Sequence, residues 1–317
     1  MTGRSDGEGR APAPVCSVII PAYMEATRIR ACLRSLARQD LDEPFERIVV
    51  DSSSDETADI VAREFPDVVL IRLSQRTDAP RARNLAVARA RADLLAFIDA
   101  DCVAAPDWLR RLLALLRAGY DAAGGGVANG NGETAVSWAG YIGEFREFFP
   151  EGAPRDVENL TINNAAYRRA AFEAVGRFPL DYFPQEDQVF HDTFRRAGYR
   201  IRYDPTIVVA HTHRSEPRAF LRHQRMIGRA NARVLHRIDR PGSTIARHRL
   251  VAVLGAPGLV LLRFFRTMNA CRGIGVARPA LRPAVAGLCF LAQCFWMWGF
   301  VERAGACDVA NATPPPG

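Results

Sequence analysis

The sequence predicts an α/β fold: a doubly wound, mostly parallel sheet flanked by helices, followed by helical, membrane-associated segments. Three observations carry this expectation. Four short apolar runs alternate with helical stretches over residues 15–117, the pattern of a parallel sheet. The acids of Asp99-Ala100-Asp101 close the last of these runs. Near the other end, the 18 residues 284–301 lack a formal charge, just enough to cross a bilayer.

Residues 15–20 read as the first strand, and residues 27–39 as a helix with Ile29, Leu33 and Leu36 on one face. Residues 48–50 form the next strand and residues 55–65 the next helix. Residues 68–73 are a third strand, and residues 80–92 a helix opened by Pro80. Residues 94–98 complete the set, followed by a helix over residues 106–117. Sheets of this kind bind ligands at the carboxyl ends of their strands. Those ends are Pro21-Ala22-Tyr23, Asp51-Ser52-Ser53-Ser54-Asp55 and Asp99-Ala100-Asp101. They offer an aromatic face for a base, a carboxylate for a base N–H or ribose hydroxyl, and two acids for a phosphate-bound metal. Asp99 and Asp101 sit at i and i+2, so both can face one site. Two acids at the mouth of a buried strand need a cation or a reacting group to neutralise them. The plainer alternative is a pair of solvated turn acids ahead of Pro106. No Gly-x-Gly-x-x-Gly follows the first strand, which disfavours a dinucleotide fold.

At 317 residues the chain has room for one large α/β domain or two small ones. All 42 basic residues are arginine and the net charge is +7. Without lysine there is no Schiff-base lysine and no P-loop lysine. The seven cysteines (16, 32, 102, 271, 289, 294, 307) are odd in number and lack zinc-type spacing. They predict reduced, buried thiols in a cytosolic compartment. Residues 1–14 have no apolar core of a signal peptide and are expected to be a disordered lead-in. Residues 304–317, with Pro314-Pro315-Pro316, are expected to be a disordered tail.

Several stretches carry a family resemblance. They are Ser17-Val18-Ile19-Ile20-Pro21-Ala22-Tyr23-Met24-Glu25, Ile48-Val49-Val50-Asp51-Ser52-Ser53-Ser54-Asp55, Arg81-Ala82-Arg83-Asn84 and Phe97-Ile98-Asp99-Ala100-Asp101. Asn163-Asn164-Ala165-Ala166-Tyr167-Arg168, Gly176-Arg177-Phe178 and Glu186-Asp187 follow. In this order, over about residues 15–215, the chain resembles the inverting family 2 glycosyltransferases of the GT-A fold. The resemblance implies a GT-A, Rossmann-like sheet and a hexosyltransferase-type enzyme using a nucleoside-diphosphate sugar.

It also implies residue roles. Tyr23 and Asp51 match the positions that hold the nucleobase, with Pro21, Ala22 and Glu25 in the same motif as Tyr23. Arg83 matches an arginine that reaches the donor nucleotide, a solvated helix arginine being the alternative. Asp101 matches the direct ligand of a divalent metal, Mn2+ or Mg2+, with Asp99 on the ribose or the metal and Ala100 between them. Glu186 and Asp187 match the catalytic acid pair. Asp187 would be the general base that takes the acceptor hydroxyl proton, so that attack inverts the anomeric carbon. His211, rather than His213, is the expected additional metal ligand, a structural histidine being the alternative. Two departures stand out. Pro184-Gln185 replace a glycine-containing turn, and His191-Asp192, one turn beyond Asp187, are expected to be scaffold, with acceptor contact left open.

After residue 215 the character changes. Arg218, Arg222, Arg225, Arg229, Arg233 and Arg237 recur every three or four residues and predict one stripe on one helix. Residues 214–249 hold ten arginines against Glu216 and Asp239. A stripe of one sign repels itself unless anions lie near, whether lipid headgroups, a phosphate-bearing acceptor or the donor diphosphate. No nucleic-acid module accompanies it, so nucleic acid is not an expected partner. Residues 250–262 are apolar but only 13 long and interrupted by Pro257-Gly258, too short to span. Residues 284–301 are long enough, with Trp296 and Trp298 near one end as interfacial anchors. If both spanned, the loop carrying Arg263, Arg266, Arg272, Arg278 and Arg282 would be translocated against the positive-inside rule. The first segment is therefore expected to be interfacial or re-entrant, and the second to span or embed. A buried helix of a soluble protein is the other reading.

The expected organisation is a catalytic domain over residues 15–215, an arginine-rich helical segment over 216–249 and apolar membrane-associated helices over 250–303. The expected activity is inverting, metal-dependent transfer from a nucleoside-diphosphate sugar, with UDP as the expected nucleotide. The acceptor would be a hydroxyl of a lipid-linked or polysaccharide molecule at the cytoplasmic face of the cell membrane. Two other readings remain. A sugar-nucleotide nucleotidyltransferase would carry a Gly-rich basic loop where Pro21-Ala22-Tyr23-Met24-Glu25 stands. An inactive nucleotide-sugar-binding membrane scaffold would not need Asp99, Asp101 and Asp187. Donor and acceptor identity would be set by loops such as residues 124–158.

Overall fold

The computed structural model describes residues 13–306; most of the expected lead-in and tail, with Cys307, lie outside the described residues. The first half follows the predicted alternation: β1 (Ser17–Ala22), α1 (Ile29–Ala37), β2 (Glu46–Asp51), α2 (Thr57–Glu64), β3 (Val69–Arg72), α3 (Ala79–Arg89), β4 (Leu94–Phe97), β5 (Cys102–Ala104) and α4 (Trp108–Arg117). Val18, Ile19 and Ile20 in β1 and Ile48, Val49 and Val50 in β2 are all buried. Consecutive buried residues mean that helices cover both faces of these strands. The amphipathic helices supply the cover, with Leu33 and Leu36 of α1 and Leu109, Leu112, Leu113 and Leu116 of α4 at 0% exposure.

The second half contains β6 (Ala122–Asn129), α5 (Ala135–Phe145), β7 (Arg155–Asp156), β8 (Ala165–Arg168), α6 (Arg169–Ala174), α7 (Glu186–Arg196) and β9 (Ile201–His211). One sheet runs β3-β2-β1-β4-β8-β6-β9-β5, with β7 paired to β9. The pairs β1–β2, β1–β4, β2–β3 and β6–β9 are parallel. Antiparallel pairs β4–β8, β6–β8 and β5–β9 then make the whole sheet mixed. The glycine run read as part of a loop is the central strand β6. A Cβ on Gly125 would lie 1.9 Å from the Ile207 carbonyl oxygen, so only glycine lets the two strands approach this closely.

Beyond β9 come α8 (Pro217–Arg237), α9 (Ser243–Arg247), α10 (Arg249–Ala270) and α11 (Pro283–Arg303). Two expectations are corrected here. The arginine stripe is partly neutralised within the chain. Glu302 of α11 accepts from both Arg225 and Arg229, the Arg225 guanidinium lies 3.9 Å from the Trp298 ring centre, and Arg233 donates to the Phe183 carbonyl at 3.2 Å. The compensating acid is too distant in sequence to show in the local charge count. Pro257, for its part, does not end the first apolar segment, and α10 runs through it for 22 residues. A proline removes one backbone donor, a loss a long helix packed on a neighbour can absorb.

Both α10 and α11 are long and apolar enough to cross a membrane. Their exposure differs. On α10, Leu250 and Leu254 are 70% and 75% exposed, whereas α11 buries Cys289, Ala292, Gln293, Trp296 and Phe300. Where α11 crosses α8 the backbones touch. A Cβ on Gly299 would lie 2.0 Å from the Arg225 carbonyl oxygen, and one on Gly228 would lie 1.9 Å from that of Trp296. Gly299→Ala should therefore destabilise the protein by about 1–3 kcal/mol through overpacking. Gly287→Ala on the same helix, where an added Cβ meets nothing within 4 Å, should gain about 0.8–1 kcal/mol from helix propensity. Opposite signs in denaturant melts are expected, and equal effects would refute a backbone-contact crossing.

Candidate active site

A cavity of about 780 Å³ opens at the carboxyl ends of β1 and β4. Of the residues picked out in sequence, Pro21, Ala22, Tyr23, Glu25, Arg83, Asp99, Ala100, Asp101, Glu186, Asp187 and His211 line it. Asp51 does not. It is buried behind the wall, where its carboxylate accepts from the Ser53 hydroxyl at 2.6 Å, and Ser53 Oγ accepts from the Met24 N–H at 2.7 Å. Asp51 thus ties down the loop that presents Tyr23, whose ring lies 4.6 Å from the Arg76 guanidinium.

The two acids after β4 diverge. Cys102 of β5 is in register with His211 of β9, and the Thr212 N–H donates to the Asp101 carbonyl at 3.0 Å. This pairing sets His211 Nε2 3.3 Å from Asp101 Oδ2. Burial opposes ionisation of Asp101, but the His211 charge outweighs it and the carboxyl falls to about 2. Burial likewise opposes charge on His211, and Asp101 again prevails to raise its pKa. Carboxylate oxygen and imidazole nitrogen suit a divalent cation such as Mn2+ or Mg2+. The Cys102 thiol lies in the same cluster, and burial pushes its pKa up. His213 stands behind His211 at 3.4 Å, held neutral at about 3 by burial and by its neighbour. Asp99 turns the other way and stays outside the cluster.

Asp99 faces Arg83, which is 5% exposed. Arg83 Nη2 donates to Asp99 Oδ1 at 2.6 Å and Nη1 to Glu186 Oε1 at 2.8 Å. The helix is set for this. Asp78 caps α3 by accepting from the Arg81 N–H, and Asn84 holds the backbone of Phe178 through bonds of 2.8 and 3.1 Å. In the apo geometry Arg83 is therefore a bridge between two acids.

Glu186 and Asp187 open α7, which is anchored by Phe190 and Phe194 against Tyr167, Phe172 and Phe178. Burial raises Glu186 to about 7, against the pull of Arg83. Burial raises Asp187 to about 6, opposed by a hydrogen bond from Asn159 Nδ2 to Oδ2 at 3.2 Å. Among the described residues Asp187 Oδ1 has no hydrogen-bond partner, which leaves it free to accept a proton. Behind it runs a chain that the sequence did not reveal. His191 is fully buried and neutral, its pKa lowered by burial to about 3. Its Nε2 lies 2.8 Å from the Tyr167 hydroxyl and its Nδ1 2.6 Å from Asn159 Oδ1. With the phenol donating to Nε2, Nδ1–H donates to Asn159 and turns its amide N–H toward Asp187. His191 is scaffold, as expected; Asp192 pairs with Arg196 at 2.8 Å and does not line the cavity.

Other cavity residues had no motif to mark them. Glu144 and Arg146 come from the end of α5, His223 and Gln224 from α8, and Arg263, Gln293 and Trp296 from α10 and α11. Amphipathic spacing gives such residues a face but not the element that face meets.

Removing Arg83 should leave two carboxylates facing each other without a cation. Arg83→Gln should cost about 3–5 kcal/mol in a denaturant melt, the range for breaking a buried ion pair from one side. Arg83→Lys should recover little of it, because one ammonium cannot reproduce two divergent N–H donors. Full stability of Arg83→Gln would refute the bridge.

The comparisons agree with this geometry. Glycosyltransferase AglE of Haloferax volcanii is 27% identical over 208 residues, covering 62% of this chain and 67% of that protein. The O-antigen chain rhamnosyltransferase WbaN of Salmonella anatum is 28% identical over 218 residues, covering 65% and 68%. The solved mannosyltransferase PcManGT of Pyrobaculum calidifontis, in complex with GDP-Man and Mn2+, superposes with a TM-score of 0.61 at 20% identity. That match covers 92% of this chain and 88% of the other and shows a common GT-A fold. The family described as Glycosyl transferase family 2 matches residues 17–176, half of the chain, and takes in β1 through β8 with Asp99, Asp101 and Arg83. The chain belongs to that family and is a glycosyltransferase.

Proposed function

We propose that the protein transfers a sugar from a nucleoside-diphosphate sugar to a hydroxyl of a lipid-linked or polysaccharide acceptor, with inversion and with a divalent cation. One observation carries this reading. A half-buried carboxylate with a raised pKa and one oxygen unpaired among the described residues, Asp187, lines the same cavity as the Asp101–His211 pair. Asp187 takes the proton from the acceptor hydroxyl as its oxygen attacks the anomeric carbon. The bond to the diphosphate breaks on the opposite face, and the nucleoside diphosphate leaves. Asp101 and His211 would hold the cation, which offsets the charge of that leaving group. Tyr23 offers its ring to the base. Glu186, fixed by Arg83, keeps the start of α7 in place.

Support for the donor and cation comes from PcManGT, described with GDP-Man and Mn2+. WbaN, an O-antigen chain rhamnosyltransferase, supports a glycan or lipid-linked glycan acceptor. The exposed apolar face of α10 supports docking on a membrane, with α11 embedded by one face and packed on the protein by the other; the cytoplasmic side is part of the proposal. On this reading the catalytic unit of residues 15–215 is completed by the C-terminal helices, which supply part of the cavity wall.

Asp101→Asn should cut turnover by orders of magnitude with the fold intact, because the amide keeps the shape and loses the charge. Excess chelator should do the same to the unaltered protein, and turnover that survives both would remove the metal role. Asp187→Asn should lower kcat by about 10²–10⁴ with nucleotide affinity unchanged. The base works only when ionised, so the rate should fall as pH drops below about 6. The Asn159 bond favours the carboxylate, so Asn159→Ala should move this acid limb to higher pH. A limb that stays in place in Asn159→Ala would give the base role to another group.

A further inference from the structure

Arg263 is a cavity arginine held by an amide and an aromatic ring. Its Nε donates to Gln293 Oε1 at 2.9 Å and its guanidinium lies 3.5 Å from the Trp296 ring centre. Among the described residues no carboxylate forms an ion pair with it, and its charged neighbours include Arg146 and Arg266. The nearby acid, Glu147, is held by Arg146 at 3.3 Å. A packed guanidinium beside like charges is stable only when an anion or water meets its free donors. Arg263 presents those donors to the catalytic cavity.

A second cavity is lined by α10 and α11. An apolar groove of about 570 Å³ runs between α10 and α11, lined among others by Val253, Val260, Leu261, Phe290, Met297 and Trp298. Val260 and Arg263 are three residues apart on α10, and Gln293 and Met297 are four apart on α11, so each pair shares a helix face. The Arg263–Gln293 contact therefore lies one helical turn from the groove lining on each helix. A ligand that satisfies both is an amphiphile with an anionic head and one apolar chain.

We propose that Arg263 is the phosphate-binding residue for an acceptor carried on a lipid phosphate, whose apolar chain lies in the α10–α11 groove. This rests on the proposed transfer reaction and narrows its acceptor. A glycan without phosphate leaves Arg263 unpaired, and a free phosphate leaves the groove empty. The lipid phosphate meets both surfaces at once and directs its carried hydroxyl into the cavity that holds Asp187.

The test uses the full chain in nonionic detergent and three probes: farnesyl phosphate, farnesol and inorganic phosphate. Farnesyl phosphate should bind at least about tenfold tighter than either of the others, the effect of one charge-assisted contact. Arg263→Gln should abolish its advantage over farnesol while farnesol binding stays the same. Leu261→Glu, at a half-exposed groove position, should weaken farnesyl phosphate by a similar factor and leave inorganic phosphate unchanged; it also carries the test should Arg263→Gln fail to fold. Equal binding of farnesyl phosphate and farnesol, or an advantage retained in Arg263→Gln, overturns the proposal. Displacement of farnesyl phosphate by an equal concentration of phosphatidylglycerol in the same micelles overturns it too, by making the site a general contact for anionic lipid. Binding of UDP and GDP with Mn2+ is measured in parallel. Loss of nucleotide binding alone sinks the donor reading and leaves the lipid site standing, whereas failure of the lipid site leaves nucleotide binding untouched.

Discussion

Arg83 is the interaction on which the site depends. A single buried guanidinium ties Asp99, at the end of a strand in the first half of the sheet, to Glu186, at the start of a helix in the second half. Burying Arg83 and Glu186 carries a large desolvation penalty, repaid only by short, well-directed bonds. The arrangement therefore tolerates little displacement of α3 against α7. Asp101 and Asp187 inherit their positions from it, one two residues beyond Asp99 and the other next to Glu186.

Around that bridge the cavity separates its carboxylates by environment. Asp101, beside His211, is held ionised down to about 2, while Asp187, buried against Asn159 and aromatic packing, is raised to about 6. One is suited to a permanent charge that a cation can meet, the other to a proton that comes and goes near neutral pH. Environments that push the pKa values of two acids apart are how one site assigns two roles to one functional group. The Tyr167–His191–Asn159 chain belongs to the second environment. It fixes one oxygen of Asp187 and leaves the other free.

Much of this was legible in the chain because it is local. The strand ends, the acid pairs and the capped start of α3 each lie within a few residues, and burial periodicity fixes their elements. What escaped depends on distant partners. Gly124, Gly125 and Gly126 read as loop because glycine is a poor strand former, and only contact with Ile207, Pro150 and Leu160 makes a side chain impossible there. The arginine stripe looked uncompensated because Glu302 lies more than seventy residues away. Asp51 closes its strand as expected, while its bond to Ser53 and its place outside the cavity lining show only in the fold. Asn159 and Arg263 carry no motif, since their meaning comes from what they face.

The glycine crossing of α8 and α11 has a mechanical consequence. With backbone on backbone at Gly228 and Gly299 there is no side-chain layer to shear, so the two helices move as one body. That body holds His223 and Gln224 on one helix and Gln293 and Trp296 on the other, all facing the cavity. Any force on the outer helices turns one whole wall of the active site as a block. The tilt of those helices and the width of the cavity are thus a single degree of freedom.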